Sequence, residues 1–407
     1  MPKDLVSRTM KPRNPVMPSP SIRSKVEQSL QNLENYLDAN GWSGYDPYDA
    51  LNSPILTKLA MNSTYLKIAF TQAFKLSPLN LRPFFGVRRG VNPKGMGLFL
   101  SGYLKRYRLI KSEKYLQKIH SILSILERTR SKGFRGYCWG YHFDWQSRSG
   151  FTRKYTPTIV NTVFIAHAYL DAYEQLGDEH FLSVAKGCRD FILNDLNVHE
   201  DKGFICFSYT PYDHTRVYNA TILGSGFLAR LFTHTKESQL LDYAKRSAGY
   251  VIRRQKPDGS WSYADSRYQK WIDSHHTGFV LEGLYNYISF ANDREYVYHL
   301  KRGLDYYKKH FFLSDGYPMF YNDRRYPVDV HCPAQAIVTF CRLSALENNQ
   351  TVLDAVTRWL IDRMQDSRGY FYYRMEKYFK NKIPYIRWSQ AWVFHALTTY
   401  LQHVKSK

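Results

Sequence analysis

The 407-residue sequence has few cysteines, few acidic residues and no long apolar run. Its five cysteines form no Cys-X-X-Cys pair, which argues against a disulfide framework and predicts reduced thiols in a cytoplasmic protein. Since no stretch of about 18 apolar residues occurs, we expect no membrane-spanning helix. The start, MPKDLVSRTMKPRNPVMPSPS, is polar and proline-rich and lacks the apolar centre of a secretory signal. We expect residues 1–50 to form a partly disordered N-terminal extension.

Because acidic residues are few, the chain has a strong net positive charge. There are 57 Lys and Arg against 35 Asp and Glu, for a formal net charge of +22. Such a surface attracts polyanions, whether nucleic acid, anionic lipid or acidic polysaccharide. Because the basic residues are spread along the chain and form no Lys/Arg block, a nucleic-acid partner is not favoured.

A glycine-aromatic segment recurs six times, with an amphipathic helix predicted before it and a helix that is apolar nearly all round after it. The segments are RPFFGVRRG, GFRGYCWGYHFDW, GFICFSYTPYD, GSWSYADSRYQKW, GYPMFYNDRRY and GYFYYRMEKYF, and their marker glycines are Gly86, Gly136, Gly203, Gly259, Gly316 and Gly369. This pattern predicts an all-α (α/α)6 toroid over residues 51–407 as a single domain. The apolar helices form its inner ring and the amphipathic helices its outer ring, with the first outer helix near 54–76. An open helical solenoid is the alternative.

Polar, aromatic and titratable residues gather just before the predicted inner helices, where the repeat itself requires none. Because the loops entering the inner helices open at one end of a toroid, we expect these side chains to share one cavity. An aspartate at such a position can instead be a helix N-cap. The candidates are Asn92, Lys94, Asp144, Trp145, Arg148, Tyr155, Asn161, His214, Arg216, Tyr218, Asn219, Asp273, His275, His276, Asp329, His331, Arg387, Trp388 and Gln390.

These residue types favour a carbohydrate ligand with negative charge. Aromatic content is 16%, with 34 Tyr and 8 Trp, and their rings suit the apolar faces of sugars. Arginine adds recognition of carboxylate or sulfate. Hydrophobic packing between hairpins accounts for many of the rings, and base stacking in single-stranded nucleic acid uses the same residue types.

A metal site is not expected. Asp273, His275, His276, His331 and Cys332 offer suitable ligand atoms, but they belong to two repeats and lack a His pair at i, i+4. We therefore expect neither a metal nor another cofactor.

The sequence resembles the six-hairpin glycosidase-like (α/α)6 proteins. Within that group HTGFVLEGLYNYI (276–288) and the Arg387–Trp388 pair are similar to the C-terminal domain of glucuronyl C5-epimerases. WGYHFDWQSR and YTPTIVNT are characteristic of related proteins of polysaccharide biosynthesis. The resemblance implies an enzyme of cell-surface polysaccharide biosynthesis or modification that acts on an acidic polysaccharide or oligosaccharide, with a polysaccharide-synthesis complex as an expected partner.

Epimerisation at C5 of a uronate needs a base, an acid and cations that stabilise the enolate. We assign proton transfer to His276, Tyr218 and Tyr155, and carboxylate binding to Arg216 and Arg387, with Asp273 and Asp144 as further catalytic candidates. The other candidates would bind substrate. A lyase would use nearly the same groups, and a glycoside hydrolase would use two carboxyl groups. A non-catalytic glycan-binding scaffold is the alternative outside enzymes.

A second resemblance is to terpenoid cyclases and protein prenyltransferases, which are also α/α toroids. QKPDGSW (255–261) is similar to their Gln-Trp repeat and VDVHCPA (328–334) to a cyclase Asp-Cys motif. A cyclase-like activity on a hydrocarbon ranks below the glycan interpretation, because the candidate cavity residues are polar.

Overall fold

A computed structural model describes residues 21–147 and 150–405 of the chain. In that part of the chain it forms fourteen α-helices: α1 (Ile22–Asn40), α2 (Pro54–Ala60), α3 (Thr64–Leu76), α4 (Pro93–Ile110), α5 (Glu113–Thr129), α6 (Ile159–Leu176), α7 (Glu179–Asn194), α8 (Tyr218–Thr235), α9 (Ser238–Ile252), α10 (Ser274–Ala291), α11 (Val297–Phe311), α12 (His331–Arg342), α13 (Gln350–Met364) and α14 (Trp392–Lys405). No helix in these ranges is long and apolar enough to cross a membrane.

Short antiparallel strands connect the helices at the helix ends. They are β1 (Ser43–Gly44), β2 (Gly90–Val91), β3 (Trp145–Ser147), β4 (Gly150–Thr152), β5 (Val198–Asp201), β6 (Phe204–Phe207), β7 (Val328–Asp329), β8 (Arg374–Met375) and β9 (Lys380–Asn381). Strands β1 and β2, β3 and β4, and β5 and β6 form pairs, and β7, β8 and β9 form a three-stranded sheet. A π-helical turn, Ile386–Ala391, leads into α14.

Six helices form a closed inner ring. Helices α4, α6, α8, α10, α12 and α14 each pack on the next, and α14 packs back on α4. Helix α8 shows why they lie inside, since it is buried without interruption from Tyr218 to Leu231. The predicted (α/α)6 toroid is confirmed, and the open solenoid is wrong because the ring closes.

The outer ring differs from the prediction at its N-terminal end. Helices α5, α7, α9, α11 and α13 pack outside the inner ring, and α1 packs on α13 and α14 as the sixth outer helix. Residues 22–40, assigned from sequence to an extension, thus lie against the last hairpin. The prediction of an outer helix near 54–76 is wrong. Those residues form α2 and α3, whose apolar side chains Leu56 and Phe74 join a small separate core with Ala50 and Val87.

The loop that follows each outer helix contains a glycine with a left-handed backbone. These glycines are Gly41, Gly133, Gly203, Gly259, Gly316 and Gly369, with φ between 70° and 96°. Gly136, chosen from sequence as the marker of its repeat, is not the equivalent position. Its Cα faces the backbone of α7 so closely that a Cβ would overlap the Gly187 carbonyl oxygen.

Gly369 links the end of the chain to its beginning, and replacing it with alanine is expected to open that link. An alanine at its φ of 96° would be strained by about 1–2 kcal/mol. The new Cβ would also overlap the backbone carbonyl of Asn32 in α1, which adds about 1–3 kcal/mol. Gly203→Ala is the matched control, because Gly203 has φ 82° and nothing near the new Cβ. Urea unfolding of both variants measures the difference, and equal destabilisation would contradict close packing of α1 on the last hairpin.

Candidate functional site

A cavity of 280 Å³ opens at the end of the ring where the inner helices begin. Its wall combines aromatic rings with acidic, basic and imidazole side chains. It is lined by Tyr48, Lys75, Lys94, Tyr141, Phe143, Trp145, Val160, Tyr209, Asn219, Tyr263, Trp271, Asp273, His275, His276, Phe279, Phe320, Tyr321, Asp329, His331, Arg374, Arg387 and Trp388.

The structure brings about half of the sequence-predicted site residues into this cavity. Those that line it are Lys94, Trp145, Asn219, Asp273, His275, His276, Asp329, His331, Arg387 and Trp388. Those that do not line it are Asn92, Asp144, Tyr155, Asn161, His214, Arg216, Tyr218 and Gln390. Arg148 lies outside the described residues.

Three of the residues outside the cavity have structural partners elsewhere. The Tyr218 hydroxyl donates a 2.5 Å hydrogen bond to Asp265, and the Arg216 guanidinium lies 3.2 Å from the same carboxylate. Gln390 bonds the backbone N–H and carbonyl of Phe371. Successive residues on a helix point about 100° apart. On α8, therefore, Asn219 faces the cavity while Tyr218 turns toward the Asp265 side.

The other predicted site residues that do not line the cavity lie at the surface or within the ring. Tyr155 is 48% exposed and His214 is also exposed, so neither is held against a substrate pocket. Asp144 accepts a 2.7 Å hydrogen bond from the Lys154 backbone N–H. Asn161 is fully buried in α6.

Asp273 organises the first turn of α10. As the predicted N-cap, its Oδ1 accepts a 3.0 Å hydrogen bond from the His276 backbone N–H. Its Oδ2 lies 2.7 Å from His276 Nδ1 and accepts a 3.1 Å bond from Trp271 Nε1. His275 Nδ1 is 3.2 Å from Oδ1 but lacks the alignment of a hydrogen bond. The Asp273 carboxylate therefore caps α10 and also fixes the tautomer and the orientation of the His276 ring.

Two neutral imidazoles stack beside this dyad. The rings of His275 and His331 have centroids 4.5 Å apart. Burial lowers the pKa of both well below the ordinary value, and His276 and Lys94 lower the pKa of His275 further. Neither ring nitrogen of His331 has a hydrogen-bond partner among the described residues. These neutral rings can therefore offer a nitrogen lone pair or an N–H group for a hydrogen bond to a molecule in the cavity.

The two acidic groups of the cavity differ in their protonation. Burial alone would raise the pKa of Asp273, but His276 and His275 outweigh it and hold that pKa below the ordinary value. Burial raises the pKa of Asp329, whose Oδ1 accepts a 2.7 Å hydrogen bond from Trp388 Nε1. Asp273 is therefore the anionic carboxyl group, and Asp329 is the one closer to accepting a proton.

Lys94 and Arg387 bring basic groups to the cavity in different ways. Arg387 makes two bonds of 2.6 and 2.8 Å to buried Asp46, so its charge is paired. Lys94 Nζ lies 4.5 Å from the Phe164 ring centroid and 5.2 Å from that of Phe279. No carboxylate among the described residues lies within ion-pair distance of Lys94. Burial, together with Arg387, holds its pKa well below the ordinary value.

The aromatic wall includes two stacked pairs suited to a sugar face, Tyr141 with Phe143 and Tyr263 with Trp271. The rings of Tyr263 and Trp271 are 4.7 Å apart and 16° from parallel, and the Tyr263 ring also contacts His276. Tyr263 and Trp271 belong to the glycine-aromatic segment GSWSYADSRYQKW, so the prediction of sugar-binding aromatic rings covers them. It missed Tyr48, Lys75 and Arg374, which reach the cavity from the loop after β1, from α3 and from β8. Tyr48 and Lys75 lie outside the repeated segments, whereas Arg374 belongs to the segment GYFYYRMEKYF but was not singled out there.

A divalent cation would find ligand atoms here. Asp273, His275 and His276 place a carboxylate oxygen and two ring nitrogens within 4.8 Å of one another. Carboxylate and neutral imidazole are ordinary ligands for zinc. Two features compete with such a use: Nδ1 of His276 is already bonded to Asp273, and the basic groups of Lys94 and Arg387 line the same cavity.

Comparisons with known proteins agree on the architecture. The model of Glycosyl Hydrolase Family 88 matches residues 95–254. The structure is similar to cellobiose 2-epimerase from Bacillus thermoamylovorans (TM-score 0.65, 14% identity, 94% of this chain and 100% of that one). It is also similar to a sugar epimerase from a ruminal bacterium (TM-score 0.66, 11% identity, 95% and 99%). A third similar structure is an unsaturated glucuronyl hydrolase specific for heparin (TM-score 0.61, 12% identity, 95% and 98%).

No curated protein matches the sequence. At 11–14% identity, the similar structures establish the fold of this chain. The chain therefore has the (α/α)6 toroid fold that its repeats predicted, the fold of the six-hairpin glycosidase-like proteins that its sequence resembles.

Proposed function

We propose that the chain is a carbohydrate-active enzyme that moves a proton on a ring carbon of an acidic sugar, most simply at C5 of a uronate residue. The observation that carries this proposal is the His276–Asp273 pair on the wall of an aromatic, basic cavity. A histidine whose Nδ1 lies 2.7 Å from a buried carboxylate keeps one tautomer, which leaves Nε2 as the atom that can act as a base.

The reaction would proceed in two proton transfers. In the first, the C5–H bond breaks, His276 takes the proton and the electron pair moves into the carboxylate as an enolate. In the second, the Asp329 carboxyl group, whose pKa burial raises, donates its proton to C5 on the opposite face; the enolate electron pair forms the new C–H bond and Asp329 is left as the carboxylate. Tyr218 and Tyr155, assigned to proton transfer from sequence, are replaced in this scheme because neither lines the cavity.

Basic groups would stabilise the enolate and bind the uronate carboxylate. Arg387, Arg374, Lys94 and Lys75 all line the cavity and can supply hydrogen-bond donors there. Arg216, the other residue assigned to the carboxylate, lies outside it beside Asp265. The Tyr263–Trp271 pair would support the apolar face of the sugar.

Glycoside hydrolysis is the second candidate. It is favoured by the match to the Glycosyl Hydrolase Family 88 model and by the raised pKa of Asp329, which suits a carboxyl group that donates a proton. In that reaction Asp329 would protonate the leaving oxygen and Asp273 would act as the anionic partner.

Proton NMR in D2O with a panel of uronate-containing oligosaccharides separates these reactions. Deuterium entering at C5 is the expected result. New reducing-end signals would instead indicate hydrolysis, and a vinyl proton at C4 would indicate a lyase. Line broadening without chemical change would support a non-catalytic glycan binder and overturn the enzyme proposal.

The NMR measurement has two controls, one with a different substrate and one with a variant protein. A matched panel of neutral oligosaccharides should show no exchange, because the proposal depends on the carboxylate. The variant His214→Gln changes an exposed histidine away from the cavity and should exchange at the wild-type rate.

A further inference from the structure

Helices α2 and α3 expose large apolar side chains. In the described part of the chain, these two helices and the turn between them leave six such residues between 43% and 86% exposed. They are Ile55, Leu59, Met61, Tyr65, Leu66 and Leu76. Single exposed apolar residues are common, whereas a group on one short segment marks an interaction surface.

Helix α3 exposes uncharged residues and turns its charged residues inward, which is the opposite of the usual arrangement in a helix that faces water. Its exposed residues are Thr64, Tyr65, Leu66, Ala69, Gln72, Ala73 and Leu76, none of them charged. Its two lysines turn toward the domain instead: Lys67 Nζ lies 4.8 Å from the Phe151 ring centroid, and Lys75 Nζ lies 4.9 Å from that of Tyr48. A solvent-facing helix normally places its charged residues outward. The outer face of α3 is therefore suited to an apolar medium.

The charge of the surrounding segment indicates what lies against this face. Residues 50–92, which include α2, α3 and the loops beside them, contain six Lys and Arg and no Asp or Glu. The nearest preceding acids, Asp46 and Asp49, are buried and paired with Arg387 and Arg82. An apolar face within an acid-free, basic segment complements an anionic lipid surface. A second copy of a chain with net charge +22 would be repelled.

The same element borders the mouth of the cavity. Lys75 of α3 lines the cavity, and α3 packs on β3, which contributes Trp145 to its wall. Whatever binds the outer face of α3 would thus lie beside the entrance.

We propose that α2 and α3 form a peripheral docking element for an anionic bilayer, which holds the cavity entrance at the membrane surface. The apolar residues enter the interface, and exposed basic residues such as Lys58 and Arg88 contact the lipid head groups. A further consequence rests on the proposed function: the glycan would be reached while attached to a membrane lipid. Docking itself does not depend on catalysis, so it can fail or succeed independently.

Co-sedimentation of the full chain with vesicles tests the proposal. We expect binding to equimolar phosphatidylglycerol and phosphatidylcholine, and much weaker binding to phosphatidylcholine alone. The variant Leu59→Ser/Leu66→Ser/Leu76→Ser should bind the anionic vesicles at least about tenfold more weakly. These positions are exposed, so circular dichroism and the thermal midpoint should stay at the wild-type values.

A matched control removes the same kind of group elsewhere. Val198→Ser/Tyr298→Ser/Leu313→Ser changes three exposed apolar residues on other elements and should bind as the wild type does. Three results would overturn the proposal: no binding of wild type to anionic vesicles, equal binding by both triple variants, or a wild-type dimer in solution that the α2–α3 variant abolishes. The last result would identify the face as an interface between copies.

Discussion

Replacing Asp273 with asparagine should lower the rate of C5 proton exchange by about 10²–10⁴-fold while the protein stays folded. Asparagine is as good an N-cap as aspartate, so the first turn of α10 keeps its hydrogen-bond acceptor. What is lost is the negative charge that lies 2.7 Å from His276 Nδ1 and favours uptake of a proton by that ring. His276→Gln should reduce the rate by a similar factor.

The double variant distinguishes a shared role from two separate ones. If Asp273 acts by orienting and charging His276, the double variant should be little slower than either single variant. Asp178→Asn is the matched control, because it changes another capping aspartate, on outer helix α7, and should keep the wild-type rate. A full exchange rate in Asp273→Asn would show that the pair is not part of the chemistry.

Replacing Asp46 with alanine should destabilise the protein by about 3–5 kcal/mol. Asp46 and Arg387 are both almost completely buried, and two hydrogen bonds join them across 341 residues of sequence. Without Asp46 the Arg387 guanidinium keeps a charge in the interior that nothing neutralises. Urea unfolding followed by circular dichroism should show a lower midpoint.

Two further variants test the reason for that loss. Asp46→Ala/Arg387→Met removes both charges and should recover much of the lost stability, because the cost lies in the unpaired charge. Asp323→Ala breaks a surface pair with Arg324, in which both side chains are 59% exposed. It should leave the unfolding midpoint close to the wild-type value, because solvent screens an exposed pair. A midpoint in Asp46→Ala equal to that of Asp323→Ala would contradict a structural role for the buried pair.

The ring could be predicted from the sequence because each hairpin repeats one physical difference. Inner helices such as α8 are apolar all round, and outer helices such as α7 are apolar on one face. The N-terminal hairpin could not be assigned in the same way. Helix α1 carries a clear apolar stripe, but helices α2 and α3 are inserted between it and the next repeat. The composition of this insertion is similar to that of an outer helix, so the sequence predicts an outer helix there. Its own small core, around Leu56 and Phe74, accounts for that resemblance.

The location of the site could be predicted more reliably than the identity of the side chains that line it. Positions just before inner helices reach the cavity at Asp273, His331 and Arg387 because the fold repeats that junction. The direction of each side chain depends on its position around the helix axis, and a shift of one residue along the helix changes that direction by about 100°. Asn219 therefore lines the cavity, whereas the adjacent Tyr218 bonds Asp265 outside it. Residues contributed by single loops and by α3 follow no period, so the sequence offered no signal for them.

The packing of α1 on the last hairpin affects how the protein is made. Leu30, Leu33 and Leu37 are buried in the finished domain, and Ser29 donates a 2.7 Å hydrogen bond to Gln365, 336 residues later. During synthesis α1 leaves the ribosome before the other helices of the ring, whereas its partners α13 and α14 leave after them. Its apolar face therefore stays uncovered while almost the whole chain is translated, a period in which exposed helices are prone to aggregate or to engage chaperones. We expect ring closure to be the last and slowest step of assembly, since contacts so distant in sequence form late.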